Sequence, residues 1–269
     1  MSNASHPESD PAVPGRGVRA DPAAASQRRD FLVHAGIASA GVILLGLSPS
    51  AARARDLVRP ALPPALPEEE EVTANEDLMR EHGVLKRALL IYREGIRRLD
   101  ARQEISPDVI ADTARLIKRF VEEYHEKQEE NYLFPRFEKA AQHVELVRTL
   151  RLQHQRGRER TTAIIQLAND AGVKNTDSRA RMLGHMKAFI RMYEPHEARE
   201  DTVLFPAFRT LVTQNEYDSI GEEMERNERR TFGGDGFDMA VDKVSELEKQ
   251  LGIFDLAQFT PAALGPAPS

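Results

Sequence analysis

Residues 124–137 read YHEKQEENYLFPRF, and residues 195–208 read PHEAREDTVLFPAF. Seven of the fourteen paired positions are identical, and the identities include one His, two Glu and the Leu-Phe-Pro triplet. Self-similarity of this kind indicates a duplicated structural unit. In each copy the conserved spacing His-x-x-x-Glu places both side chains on one face of a helix, because residues four apart lie above one another.

The repeat extends upstream to a second histidine in each copy. His82 precedes His125 by 43 residues, and His154 precedes His196 by 42. The near-equal spacing predicts that each copy is a pair of helices, with one His on its first helix and His-x-x-x-Glu on its second.

The segments around both copies carry apolar residues at alternating steps of three and four, the period of an amphipathic helix. Thr73 and Glu76 form a capping-box pattern that predicts the start of the first helix. Ser106 followed by Pro107 predicts the start of the second. The pattern predicts further helices over roughly residues 141–169, from Asp177 or Ser178 onward, near 215–230 and near 237–251.

Helix ends are predicted from residues that interrupt helical hydrogen bonding. Proline lacks an N–H and clashes with the preceding turn, so Pro135 is expected to bend or end the second helix and Pro206 to end the fourth. Gly172 is expected to close the third. No segment shows the period-two alternation of a strand. The sequence therefore predicts an all-α fold, an up-down four-helix bundle with additional C-terminal helices.

The composition of the 269-residue chain excludes several classes of function. Lys and Arg total 37 against 43 Asp and Glu, and the net charge of −6 argues against nucleic-acid binding. The sequence contains no cysteine, which rules out disulfides, thiolate zinc sites, iron–sulfur clusters and cysteine nucleophiles. Any bound metal must therefore be held by His, Asp and Glu.

Six residues of the repeat fall on the apolar stripes that are expected to face the bundle axis. A single inward His is usually satisfied by a hydrogen bond, but buried carboxylates without a partner each cost several kcal/mol or more. A pair of metal ions supplies the missing positive charge. Imidazole and carboxylate ligands suit iron, with manganese or zinc as weaker alternatives. The candidate metal ligands are His82, His125, Glu129, His154, His196 and Glu200.

Other acidic residues near these positions are interpreted as solvated or structural. Glu81 adjoins His82 in sequence, and a solvent-exposed face is expected for it. Glu126 and Glu197 occupy equivalent positions in the repeat and point about 100° away from the candidate ligands, where they are expected to pair with arginines.

Over roughly residues 73–213 the sequence resembles the hemerythrin-like family, whose members carry the HHE cation-binding domain. The resemblance rests on one His, His-x-x-x-Glu, a second His and a second His-x-x-x-Glu, with Leu-Phe-Pro after each carboxylate. It implies a four-helix bundle around a non-haem di-iron site. It further implies that His82 and His125 hold one iron, that His154 and His196 hold the other, and that Glu129 and Glu200 bridge them.

The chain departs from the oxygen-carrying hemerythrins at two positions. Those proteins place a fifth His one turn after the third-helix His, where this chain has Arg158. They use an Asp five residues after the last His, and Asp201 sits at that spacing beside Glu200. The repeat pairs Glu200 with Glu129 and favours Glu200 as the bridge, with Asp201 as the alternative. The set also resembles the iron-centre repair proteins, but their cysteine-bearing segment is absent.

The predicted site leaves several functions open. The leading hypothesis is reversible binding of a small diatomic ligand, O2 or NO, by two iron ions. The alternatives are a di-iron oxidoreductase acting on peroxide or NO, and an iron buffering or repair protein. The fourth hypothesis is a metal-free helical adaptor that uses the C-terminal helices to hold a partner.

The N-terminal segment is predicted to be an export signal. Arg28 and Arg29 precede an apolar stretch, and Ala52-Arg53-Ala54 offers a cleavage site, which together resemble a twin-arginine signal. A retained anchor helix is the alternative, although the apolar stretch is marginal for spanning a bilayer. The protein is thus expected to use the twin-arginine export machinery, to be periplasmic or otherwise exported, and to have no stable membrane insertion after cleavage.

The predicted organisation is a signal over 1–54, a Pro/Glu linker over 55–72, the bundle over 73–213, a helical extension over 214–259 and a disordered tail over 260–269.

Overall fold

A computed structural model describes residues 72–263 of the chain. The predicted twin-arginine signal, the linker except for Val72, and the last residues of the predicted tail lie outside the described residues. Within residues 72–263 the secondary structure is helical, with no strand. This confirms the all-α prediction.

The bundle consists of four long helices, α1, α2, α3 and α5, each of which packs against two neighbours in a closed ring. A short helix, α4, lies in the connection between α3 and α5. Two further helices, α6 and α7, pack outside the ring against α1 and α2. In chain order the bounds are α1 Ala74–Asp100, α2 residues 107–139, α3 Val144–Leu167, α4 Asp170–Lys174, α5 residues 176–211, α6 Gln214–Phe232 and α7 Gly236–Leu251, followed by a 3-10 turn at Leu256–Phe259.

The helix starts follow local capping chemistry. Thr73 caps α1 in a complete capping box, in which its backbone N–H donates to the Glu76 carboxylate at 2.9 Å. Ser106 caps α2 as predicted. Helix α5 begins earlier than predicted, because Asn175 accepts a hydrogen bond from the backbone N–H of Ser178 at 2.8 Å.

The prediction that Gly172 closes α3 is wrong, since α3 ends at Leu167 and Gly172 lies within α4. A Cβ atom at this position would lie 1.9 Å from the carbonyl oxygen of Leu167. Glycine is therefore required here so that the backbone of α4 can approach the end of α3 closely.

The predicted helix end at Pro206 is also wrong, and at Pro135 the helix continues rather than stops. Helix α2 passes through a π-helical turn, Glu129–Leu133, and continues as an α-helix over Phe134–Lys139. Helix α5 does the same at Glu200–Leu204 and Phe205–Leu211. Each proline enters the first turn of the new α segment, where its missing N–H interrupts no established hydrogen bond. These two π turns begin at candidate metal ligands, and a longer π-helical segment of α2, Ile117–His125, ends at another. Such turns are frequent at functional sites.

Two hydrophobic clusters fill the interior, one on each side of the candidate ligands. The larger contains aromatic residues of α1, α2 and α5, among them Tyr92, Phe120 and Phe189. The smaller is built around the Leu-Phe-Pro triplets and contains Phe134 and Phe205. On every long helix the candidate ligand lies between these clusters, so packing fixes the ligands from both ends.

Helices α6 and α7 complete the core of the bundle. Val244 and Leu247 of α7 are fully buried in the larger cluster. Phe232 of α6 packs against Phe120 and Tyr124 of α2, with ring centroids 5.9 and 5.3 Å away. No helix within residues 72–263 is long and apolar enough to cross a membrane.

Replacing Leu247 with Ala is expected to lower the free energy of unfolding by about 2–5 kcal/mol, because it leaves a cavity in the core. Chemical denaturation followed by circular dichroism measures this quantity. The matched control is Met239→Ala on the same helix, where the side chain is half exposed and a change of about 0.5 kcal/mol or less is expected. Equal effects of the two variants would contradict the burial of α7 against the bundle.

Candidate metal centre

The structure brings all six predicted ligands together in the middle of the bundle. They come from its four long helices, and none is more than 4% exposed. We call this set the cage. Its members are His82 on α1, His125 and Glu129 on α2, His154 on α3, and His196 and Glu200 on α5.

The cage divides into two groups of three. The first group is His82, His125 and Glu129, and the second group is His154, His196 and Glu200. Within each group, one candidate ligand atom per residue lies within 4.8 Å of the others. Each group therefore has the dimensions of a site for one metal ion, and the imidazole pairing is the one that the family resemblance implies.

Glu129 faces one histidine of each group. Its Oε1 atom lies 3.9 Å from His125 Nε2, and its Oε2 atom lies 3.4 Å from His154 Nε2. The two oxygens of this carboxylate are thus directed toward different groups, which is the arrangement of a bridging ligand.

Glu200 also reaches across the cage. Its Oε2 atom lies 3.4 Å from His82 Nε2 and 3.1 Å from His196 Nε2. Asp201, the alternative to Glu200, points outward instead, and its Oδ1 atom lies 2.7 Å from His82 Nδ1. The geometry therefore favours Glu200 over Asp201 as the shared carboxylate.

Each cage histidine has an oxygen atom at its outer ring nitrogen. An acceptor at Nδ1 holds the proton there and leaves the Nε2 lone pair directed into the cage. The outer contacts are His82 to Asp201 at 2.7 Å, His125 to Glu81 at 2.7 Å, His154 to Glu130 at 3.1 Å, and His196 to Gln153 at 2.9 Å.

The expectation that Glu81 is solvent-exposed is wrong. Glu81 is 2% exposed and contacts His125 across the α1–α2 interface. The repeat contains a sequence signal for the outer partners. Glu81 and Gln153 each directly precede the histidine on the first helix of their copy, and Glu130 and Asp201 each directly follow a cage carboxylate. Sequence reasoning that considers one helix at a time misses it, because each outer partner lies on a neighbouring helix.

Burial shapes the protonation of the cage. It raises the pKa of Glu129 to about 8, with a further rise from the charge of Glu200. Burial opposes ionisation of Glu200 too, but attraction to His196 holds the pKa of this carboxyl well below its usual range. Burial also lowers the pKa of His125 well below its ordinary value. Positive charge between the groups would favour ionised carboxylates and neutral imidazoles, the forms that bind metal.

Many polar atoms of the cage have no hydrogen-bond partner within the described part of the chain. They are Nε2 of His125, Nε2 of His154, and all four carboxylate oxygens of Glu129 and Glu200. Buried polar atoms are rarely left unpaired, because each costs about 1–3 kcal/mol. Since these atoms converge on one space and are all metal-ligand types, the residues fit a pair of cations.

The Leu-Phe-Pro triplets position the histidines of the opposite repeat copy. Phe205 on α5 stacks against His82, and Phe134 on α2 stacks against His154, both with centroids 5.5 Å apart. Both phenylalanines are fully buried. They close one end of the cage with apolar surface and limit the access of water.

Arg158 lies beside the second group. Its Nη2 atom contacts the carboxylates of Glu126 at 2.6 Å and Glu130 at 2.7 Å. Tyr193 donates a hydrogen bond to Glu126 at 2.6 Å, across Gly157, where a Cβ atom would lie 2.1 Å from the Tyr193 oxygen. The predicted arginine partner of Glu126 is thus present.

The equivalent prediction for Glu197 is wrong, because its partner is a lysine. Lys86 Nζ lies 2.6 Å from Glu197 Oε2. Glu126 stays closer to the cage than its helical spacing predicted, since one of its carboxylate oxygens lies within 4.8 Å of a ring nitrogen of His154.

Comparisons with known proteins agree with this geometry. The chain matches the family model described as hemerythrin HHE cation binding domain over residues 73–207 and again over 146–251. It is 45% identical over 250 residues to Uncharacterized protein Mb2018 of Mycobacterium bovis and to Uncharacterized protein Rv1995 of Mycobacterium tuberculosis. These alignments cover 91% of this chain and 95% of each relative. No solved structure matches the chain significantly.

Proposed function

Because the chain belongs to the hemerythrin HHE cation-binding domain family, we propose that its cage holds two iron ions and binds a small diatomic ligand, O2 or NO. The single observation that carries the proposal is the placement of Glu129 and Glu200. Each carboxylate faces one imidazole from each group, and their oxygens are buried without hydrogen bonds.

These contacts support the ligand assignment that the family resemblance implies. The first group would hold one ion through His82 and His125, the second group would hold the other through His154 and His196, and Glu129 and Glu200 would be shared. Imidazole nitrogen with carboxylate oxygen is a donor set that suits iron, whereas manganese or zinc are weaker fits. When bound, iron supplies open coordination positions at which a diatomic ligand attaches.

The protein residues around the cage supply orientation and a dry environment. The oxygen partners at Nδ1 fix the rotation of the four imidazoles. Phe134 and Phe205 cover one end. A small apolar ligand such as O2 or NO enters such surroundings more readily than an ion does.

A second candidate is a di-iron oxidoreductase acting on peroxide or NO. It is favoured by Arg158, whose guanidinium pairs with Glu126 and Glu130 where the oxygen carriers have a fifth histidine. One metal position would thus have one histidine ligand fewer than in the oxygen carriers, which would leave a coordination position open to a reactant. Iron buffering or repair is less well supported, because a fully buried cage slows the release of metal.

The function is tested by loading the full chain with Fe(II) under anaerobic conditions and exposing it to O2, NO or peroxide. We expect an absorption change with O2 or NO that reverses when the gas is removed. Irreversible oxidation together with release of dioxygen from peroxide would support the oxidoreductase instead. Iron-loaded protein that responds to none of the three would contradict both, and loss of iron on a desalting column would support buffering.

We also propose that the protein is exported by the twin-arginine route and acts in the periplasm or outside the cell. The proposal rests on Arg28, Arg29 and the cleavage site that follows them. This route is understood to carry folded proteins, which suits a protein that loads metal before export. Replacing both arginines with Lys should retain the protein in the cytoplasm on cell fractionation, and unchanged export would contradict the proposal.

A further inference from the structure

The outer hydrogen bonds of the cage histidines differ between the two groups. In the first group both partners are carboxylates, Asp201 beside His82 and Glu81 beside His125, each at 2.7 Å. In the second group the contacts are longer, 3.1 Å from His154 to Glu130 and 2.9 Å from His196 to Gln153. One of these two partners, Gln153, is an uncharged amide.

The charge of the remaining partner in the second group is shared with cations. Glu130 forms ion pairs with Arg158 Nη2 at 2.7 Å and with Lys127 Nζ at 2.5 Å. Within residues 72–263, neither Glu81 nor Asp201 forms an ion pair with a lysine or arginine. The outer partners of the first group therefore carry more uncompensated negative charge than those of the second.

A carboxylate at the outer nitrogen makes an imidazole a better metal ligand, and removing such a partner costs about 10- to 100-fold in metal affinity. We propose that the two groups are inequivalent metal positions, and that the first group, with Glu81 and Asp201 as positioning residues, takes up a divalent cation first and releases it last. This inference rests on the proposed di-iron site and specifies its order of loading.

The repeat provides matched variants for the test. His125 and His196 are equivalent ligands of the two groups, and Glu81 and Gln153 are their equivalent outer partners. Repulsion between two adjacent cations would by itself separate the two binding steps of the wild type. The test therefore depends on comparing paired variants, and not on the shape of the wild-type titration curve. Glu159→Gln is the control, because Glu159 is exposed on α3 and paired with Arg156.

The experiment is anaerobic calorimetric titration of the metal-free full chain with Fe(II). We expect His196→Ala to retain a first step like that of the wild type, and His125→Ala to bind its first ion about tenfold more weakly or worse. Glu81→Gln should weaken the first step by about 10- to 100-fold, and Gln153→Glu should tighten the second. Glu159→Gln should titrate like the wild type, and circular dichroism verifies that each variant is folded.

Two outcomes separate this inference from the proposed function. If His125→Ala and His196→Ala bind their first ion equally well, or if Glu81→Gln leaves the titration unchanged, the two positions are equivalent and the inference is overturned, while a di-iron cage stands. If the folded wild type binds no Fe(II), both the inference and the proposed metal centre fall.

Discussion

Replacing Glu200 with Gln is expected to reduce the iron content of the protein from about two ions per chain to fewer than one. The reason is the position of the carboxylate, whose Oε2 atom lies within 3.4 Å of His82 Nε2 and within 3.1 Å of His196 Nε2. The variant removes a ligand from both groups at once, and the amide is a neutral and weaker donor. Elemental analysis after anaerobic loading and desalting measures the result.

The neighbouring residue supplies the control for this experiment. Asp201→Asn changes the next carboxylate in the chain, which contacts His82 at its outer nitrogen Nδ1. At saturating Fe(II) it is expected to keep about two ions per chain, since outer partners tune affinity without holding the metal. If Asp201→Asn loses its iron and Glu200→Gln keeps it, the shared ligand is Asp201.

Removing the metal is expected to lower the melting temperature by roughly 15–30 °C. A ligand present at a thousand times its dissociation constant stabilises the folded state by about 4 kcal/mol, so two ions contribute about 8 kcal/mol. For a domain of this size, each kcal/mol corresponds to about 2–4 °C. Thermal unfolding of loaded and chelator-treated protein, followed by circular dichroism, measures the shift.

Reloading provides the check on this second prediction. Addition of Fe(II) under anaerobic conditions should restore the melting temperature, whereas Glu200→Gln should show little difference between loaded and chelated samples. Equal melting temperatures for loaded and metal-free wild type would mean that the buried cage is stable without cations.

The helical architecture could be predicted because it depends on spacing along the chain. The apolar steps of three and four, the capping box at Thr73 and Glu76, and the Ser106-Pro107 start are all local features, and the structure has the expected helices. The proline positions misled the prediction for an equally local reason. Pro135 and Pro206 normally break helices, but the π turns before them rearrange the hydrogen bonding so that each helix continues.

The six residues of the cage could be found because each ligand position occurs once in each copy of the repeat. The outer partners could not be found by the same reasoning. Glu81 looks like a surface residue next to His82 when α1 is considered alone, and it is buried where α2 packs against α1. The burial of Val244 and Leu247 against the bundle likewise depends on the way α7 docks on α1 and α2.

The amino-acid sequence is sufficient to establish which residues share a helix face, that the unit is duplicated, and that the metal-ligand types available are His and carboxylate. These properties depend on composition and on periodicity within one segment. Three further relations depend on how the helices pack: each carboxylate faces both groups, Asp201 points outward, and the two groups have unlike outer partners. Those relations depend on the rotation and shift of one helix against another, which the packing of the whole bundle sets.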